Sequence, residues 1–231
     1  MVRTGAILRK VSELVMPNHH PDESLLIEYA AGSLNEAKSL LVATHLTLCP
    51  VCRDAVRDGE AVGGALLQAS AYHVGVGEQD EPTSVVDAPR ARRVAVADSA
   101  LPNPLRDYIG MPMSEIKWTP LWRGLCEYAL PQFGARVRLL SIPGGGRMPR
   151  HTHEAEELTL VLQGAFADGS GHYARGDVAT ADPSINHRPQ ADAGAQCICL
   201  AVEDGALRLT GWTGRLFKLA AAANAILPKS I

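Results

Sequence analysis

Two sets of side chains in this sequence have types and spacings that suit metal ions. His45, Cys49 and Cys52 form the pattern HxxxCxxC, and His151, His153 and Glu157 form HxHxxxE, with His187 further along. Thiolates beside imidazole, at helical spacing, match a structural zinc site, which takes a closed tetrahedron of soft ligands. Two thiolates and one Zn²⁺ cancel formally, so such a site can be partly buried with no net charge to solvate. Three imidazoles and a carboxylate accept Zn, Fe, Mn or Ni alike. With a divalent ion that second set carries one net positive charge and would attract an anionic or peroxidic ligand.

Helices must position the first set. Asp22 to Ala31 reads as a short helix with acidic residues in its first turn and Gly32 as its stop. Ser33 and Glu36 have capping-box spacing and predict a second helix through Leu40, Leu41, Thr44 and Leu48. His45 and Cys49 then project from one face near its end, and Pro50 suits the first turn of a third helix that carries Cys52. A fourth ligand has to come from elsewhere: His20, just upstream of the first helix, is the leading candidate and His19 the fallback. The third helix can continue from Ala61 to Ala71, although Gly63 and Gly64 each weaken it by roughly 1 kcal/mol relative to alanine. A plain bundle with two buried cysteines would explain the cysteines but not the histidines placed around them.

Strands must position the second set. After Trp118 the chain breaks into short β-like runs separated by glycine and proline, which predicts an antiparallel barrel or sandwich. Arg136 to Leu140 alternates basic with apolar residues, and Pro143 to Gly146 makes a tight connection. On an extended segment His151 and His153 share a face, and Glu157 has the same parity at the start of the run LTLVL, which Gly164 ends. Glu154 and Glu156 fall on the opposite parity and are expected to face solvent. The stretch GDVATADPSINH then leads through a turn to His187. HxHxxxE followed by a glycine and a distant histidine has the form of the cupin signature, with a metal-free cupin as the bland alternative. Cys197 and Cys199 share one face of a strand, but neighbours at i and i+2 stand about 6.5–7 Å apart, so small core residues are a better reading than a redox pair. Cys126 is read as core filler, and His73 and His172 as loop residues that bind nothing.

At 231 residues the chain suits two compact units, since domains of roughly 100–150 residues are typical. The expected fold class is α+β with two domains: an extension over 1–15, a small zinc-binding helical bundle over 16–72, a linker over 73–104, and a cupin-like antiparallel β-barrel over 105–231. The linker range is rich in Gly, Pro, Ser, Asp and Arg, with Arg90, Arg92 and Arg93 on a solvated loop face. Five cysteines, two of them in a CxxC, indicate metal binding in a reducing compartment. A formal charge of -3 and a pI near 6.2 exclude a phosphate-backbone binder. No apolar run reaches about 18 residues and no secretory h-region occurs, so a cytoplasmic protein without membrane association is expected. Between His19 and Glu60 three basic residues face seven acidic ones, which favours a basic protein partner over nucleic acid.

Both constellations in this order resemble the ChrR-type zinc-binding anti-sigma factors. The resemblance rests on His19 and His20, YAAGSL from Tyr29, ATHLTLCPVC from Ala43 to Cys52, ELTLVLQGAF from Glu157 to Phe166 and CICLA from Cys197, and it covers His19 to Glu203. It implies that His20, His45, Cys49 and Cys52 hold a zinc ion in the N-terminal domain. It likewise implies that His151, His153, Glu157 and His187 hold a divalent metal, zinc foremost, in the cupin-like domain. The partner implied is an extracytoplasmic-function-type sigma factor, whose two conserved regions enclose the helical domain and lose their polymerase-binding surfaces. The cupin-like domain would answer singlet oxygen or organic hydroperoxides and trigger release. The segment after Ala71 departs from the family in being poor in helix formers. Two rival readings are a metal-dependent cupin enzyme, a dioxygenase or isomerase with an accessory knuckle, and a zinc-dependent scaffold for another partner. An enzyme has no need for HxxxCxxC on an acidic helical bundle, so a non-enzymatic regulator is expected.

Overall fold

The computed structural model describes residues 16–71 and 101–210. The expected extension 1–15, His73, the Arg90, Arg92 and Arg93 cluster and most of the expected linker lie outside them.

Three helices come first among the described residues: α1 (Glu23–Ala30), α2 (Glu36–Leu48) and α3 (Pro50–Ala71). The helix after the Gly32 stop starts differently from the capping-box expectation. Asn35 is the N-cap, its Oδ1 accepting the Lys38 N–H at 3.0 Å, while Ser33 Oγ turns back to donate to the Glu28 carbonyl. Asparagine caps as well as serine does, and it stands immediately before the first helical residue. Helix α3 runs through Gly63 and Gly64 without a break. Gly59 lets it lie close to α1, because a Cβ there would sit 3.1 Å from the Ala30 side chain. Leu26, Val42 and Val56 pack with Cys49 and Cys52 into a small core.

A fourth helix, α4 (Asn103–Ile109), closes on Gly110 in the left-handed conformation, and Leu101 just before it is buried. The expected linker over 73–104 therefore has its last residues inside the folded body: Leu101 and Leu105 both join the core.

The β-module begins with β1 (Thr119–Trp122), β2 (Leu125–Ala129) and β3 (Val137–Ile142), followed by β4 (His151–His153) and β5 (Glu157–Gln163). Next come β6 (Ala165–Ala167), β7 (His172–Ala174), β8 (Val178–Ala181) and β9 (Gln190–Ala191), then β10 (Cys197–Glu203) and β11 (Leu207–Leu209). Every pairing is antiparallel, as expected, but the strands do not close into a single barrel. They divide into a six-stranded sheet β1-β2-β3-β10-β5-β8, a three-stranded sheet β7-β6-β9 and the pair β11-β4. Pairing between strands distant in sequence leaves no local trace, which is why a barrel and this divided arrangement read alike.

Strand parity distributes the residues of the large sheet between two environments. Val161, Cys197 and Cys199 point toward Phe166, Tyr173 and Ala191 of the small sheet. Leu158, Leu160, Ile198, Leu200 and Val202 point the other way, where Leu25, Leu40 and Leu41 of the N-terminal helices and Leu105 of α4 cover them. Strand β10 is buried along its whole length because both its faces are covered. The helical and β-modules thus share one apolar core.

Candidate metal centres

His20, His45, Cys49 and Cys52 come together, with one ligand atom from each lying within 4.8 Å of the others. His20 fills the fourth position and His19 does not. The Cys49 and Cys52 Sγ atoms stand 3.4 and 3.3 Å from His20 Nδ1, close to the roughly 3.5 Å edge of a tetrahedron built on zinc–sulfur and zinc–nitrogen bonds. His45 donates from Nδ1 to the Gly176 carbonyl at 2.8 Å, which fixes its tautomer and leaves Nε2 free to ligate. That Nε2 is buried with no hydrogen-bond partner, and a cation among the four ligands would satisfy it. Burial pulls the His45 pKa down to about 4, keeping the ring neutral. Burial, then the hydrogen bond its S–H donates to Cys49, pushes the Cys52 thiol up to about 12. Two adjacent buried thiols become thiolates only with a cation between them, so the donor set fits a metal ion.

His151, His153, Glu157 and His187 form the second group, again within 4.8 Å. The two Nε2 atoms of His151 and His153 stand 3.0 and 3.1 Å from His187 Nε2, the separation of adjacent ligands on one ion. Outward partners hold the rings: His151 Nδ1 donates to the Pro149 carbonyl at 2.8 Å, and His187 Nδ1 to Asp168 Oδ2 at 2.6 Å. With those tautomers the Nε2 lone pairs face inward. Burial lowers the His151 pKa to about 4. Glu157 Oε2 lies 2.9 Å from His153 Nδ1 but outside hydrogen-bonding geometry, and this buried oxygen has no other partner. Burial works against the Glu157 charge, yet the neighbouring His153 and His151 rings hold its pKa below the usual range. Such an unpartnered carboxylate oxygen beside three converging imidazoles also fits a cation, while Oε1 accepts from the Thr159 hydroxyl at 3.0 Å. His151 and Glu157 line a cavity of about 240 Å³ with Leu121, Leu125, Met148 and Leu207, so this group borders space for a further ligand.

The other residues singled out by sequence fall elsewhere. Cys197 and Cys199 carry free thiols with their sulfurs 3.6 Å apart inside the core, and Cys126 is half-buried. His172 is exposed and pairs with Asp192 at 2.9 Å. Glu154 meets Arg208, and Glu156 is not simply solvent-facing: with Asp204 it binds Lys38 of α2, at 2.7 and 2.8 Å. Asp168 and Asp177 read locally as turn residues; what gives each a role is a distant partner, the His187 ring for Asp168 and the Asn18 and His19 N–H groups for Asp177.

No described helix is long and apolar enough to cross a membrane. Residues 107–207 match the family model described as the ChrR cupin-like domain. The chain is 42% identical over 206 residues to the anti-sigma-E factor ChrR of Cereibacter sphaeroides, spanning 86% of this chain and 95% of that protein. It is also similar to the crystal structure of Rhodobacter sphaeroides SigE in complex with the anti-sigma ChrR, with 40% identity and a TM-score of 0.64 over 80% of this chain and 98% of that one. At such identity across nearly the whole relative, the chain belongs to the ChrR family of anti-sigma factors.

Proposed function

We propose that the protein binds and inhibits an extracytoplasmic-function-type sigma factor through its N-terminal helices, and that a signal received by the cupin-like domain releases it. His20, His45, Cys49 and Cys52 are read as the ligands of a structural zinc ion, and His151, His153, Glu157 and His187 as those of a second divalent metal, zinc foremost. The working division is a zinc-binding module over 16–72 and a cupin-like module over 105–231. The signal is read as an oxidant, singlet oxygen or an organic hydroperoxide, acting in the cytoplasm.

One observation carries the reading. The four-ligand cluster gathers helices whose outward faces are apolar: Ile27 of α1 and Val51, Val62, Leu66 and Leu67 of α3 are all more than half exposed. Apolar side chains grouped on the surface of a small bundle mark a protein-binding face. The relative solved with SigE supplies the class of partner. The second cluster borders a cavity and can admit a small molecule, whereas the first has its four ligands complete.

The test uses the full chain co-expressed with candidate sigma factors. Cys49→Ser should lose zinc and free the sigma factor, whereas His151→Ala should keep inhibition and blunt release by oxidant. Full inhibition by a zinc-depleted Cys49→Ser protein would overturn the first role. Loss of inhibition in His151→Ala would overturn the separation of roles.

A further inference from the structure

The turn between β7 and β8 reaches out of the β-module into the first metal cluster. Asp177, buried in this turn, accepts the backbone N–H of Asn18 at 2.6 Å and of His19 at 3.0 Å on Oδ1, and that of Ala174 at 2.8 Å on Oδ2. Val178 N–H in turn donates to the His19 carbonyl at 3.1 Å. Residues 17 to 19 are thereby pinned as a strap, and His20 follows directly. Pro17 closes over Gly176, where φ is +95° and a Cβ would meet the Pro17 ring at 2.7 Å, so no side chain fits between them. The Gly176 carbonyl holds the His45 ring at 2.8 Å, while the Gly176 N–H is tied into the sheet through the Val161 carbonyl at 2.8 Å. Burial opposes the Asp177 charge, but the N–H groups of Ala174, His19 and Asn18 outweigh it and keep its pKa below the usual range.

We infer that the first metal centre is a composite of both modules, in which Asp177 and the Gly176 carbonyl are positioning groups for His20 and His45. The inference rests on reading that cluster as a metal centre. The His45 ring is held, and the backbone leading to His20 is pinned, from outside the helical bundle, so its helices alone do not fix the tetrahedron. Groups that orient ligands in this way are worth roughly 10–100-fold in metal affinity when removed. Coupling of this kind is reciprocal: whatever displaces the turn loosens the metal, and losing the metal loosens the turn.

Cobalt(II) loaded into the full-length protein reads the first centre selectively, because only that cluster has sulfur ligands and so gives a thiolate-to-cobalt absorption band. In chelator competition, Asp177→Ala should weaken cobalt retention at the thiolate centre by about 10–100-fold while the second centre keeps its metal. Asp177→Asn, which retains one acceptor oxygen, should fall between. A purely structural role for Asp177 would lower the melting temperature and leave the affinity of the folded protein unchanged. Affinities unchanged from the unaltered protein would overturn the inference, and if Asp177→Ala does not fold, Asp177→Asn decides by the same criterion. Removing the metal should also speed hydrogen exchange at the Asn18, His19 and Val178 amides; unchanged protection there would overturn the coupling. Absence of the thiolate band in the unaltered protein is a separate outcome, and it would overturn the reading of the cluster itself.

Discussion

The two metal-ligand clusters differ in where their support comes from. Around the second, the Pro149 carbonyl and Asp168 belong to the same β-module as the ligands they hold. Around the first, the supports are the Gly176 carbonyl and the Asp177 carboxylate, which belong to the β-module and stand 131 residues beyond His45 and 159 beyond Asn18. The rings of the second cluster are therefore held by groups of their own module, and the His45 ring of the first is held by a group of its neighbour. This asymmetry would suit the proposed function, in which the β-module receives the signal and the helical module responds. Helix α2 adds a second connection, since Lys38 near its start binds Glu156, the neighbour of Glu157, while His45 near its end belongs to the first cluster.

The strongest way to break the comparison is to remove a thiolate. A structural zinc site contributes about 10–16 kcal/mol in small domains, so one ligand of four accounts for roughly 3 kcal/mol, on the order of 100-fold in affinity. Cys49→Ser or Cys52→Ser should show that loss by metal analysis with the second metal retained; loss of both ions together would contradict independent sites. Acidity should separate the clusters next. Burial holds Cys52 at about 12 in the metal-free protein, so binding there must expel protons, whereas His151, at about 4, is already neutral. Affinity at the first cluster should therefore fall as pH falls, by about tenfold per pH unit for each proton expelled. The second should fall as well, because burial of His153 is outweighed by the Glu157 carboxylate, which raises the His153 pKa, but its slope should level off above the imidazole range while the thiol response continues. Chelator titrations at several pH values check this, and equal slopes would erase the distinction. Asp168→Asn should then weaken the second metal by roughly tenfold and leave the first alone, measured as metal retained after dialysis. Smallest of all, Lys38→Met should cost no more than about 1 kcal/mol in thermal unfolding, because the carboxylates it pairs with are partly solvated. A larger loss would mean that this end of α2 carries more of the contact between modules than its exposure indicates.

Much of this was legible in the sequence, and the reasons are local. His45, Cys49 and Cys52 lie within two turns of chain, and the HxHxxxE parity survives the turn before Glu157, so spacing alone places those ligands. His20 could be named as the best of two because only the helix order pointed to it. The coupling between modules was not legible. It runs through a glycine carbonyl and the N–H groups of Asn18 and His19, which every residue type carries or nearly so. The shared core was hidden for a related reason: LTLVL is apolar on both parities, and a sequence cannot say which element covers the second face of a doubly buried strand. The α2 start moved from Ser33 to Asn35 because two good capping residues stand close together and only geometry chooses between them.

Strand β10 completes the surface on which α2 rests, and it does so from residues 197–203. On a translating ribosome the helices would emerge long before that floor exists, by about 7–30 seconds at ordinary elongation rates of roughly 5–20 residues per second. On a nascent chain the outward apolar faces of α1 and α3 can therefore meet a sigma factor while the inward face of α2 still lacks its sheet.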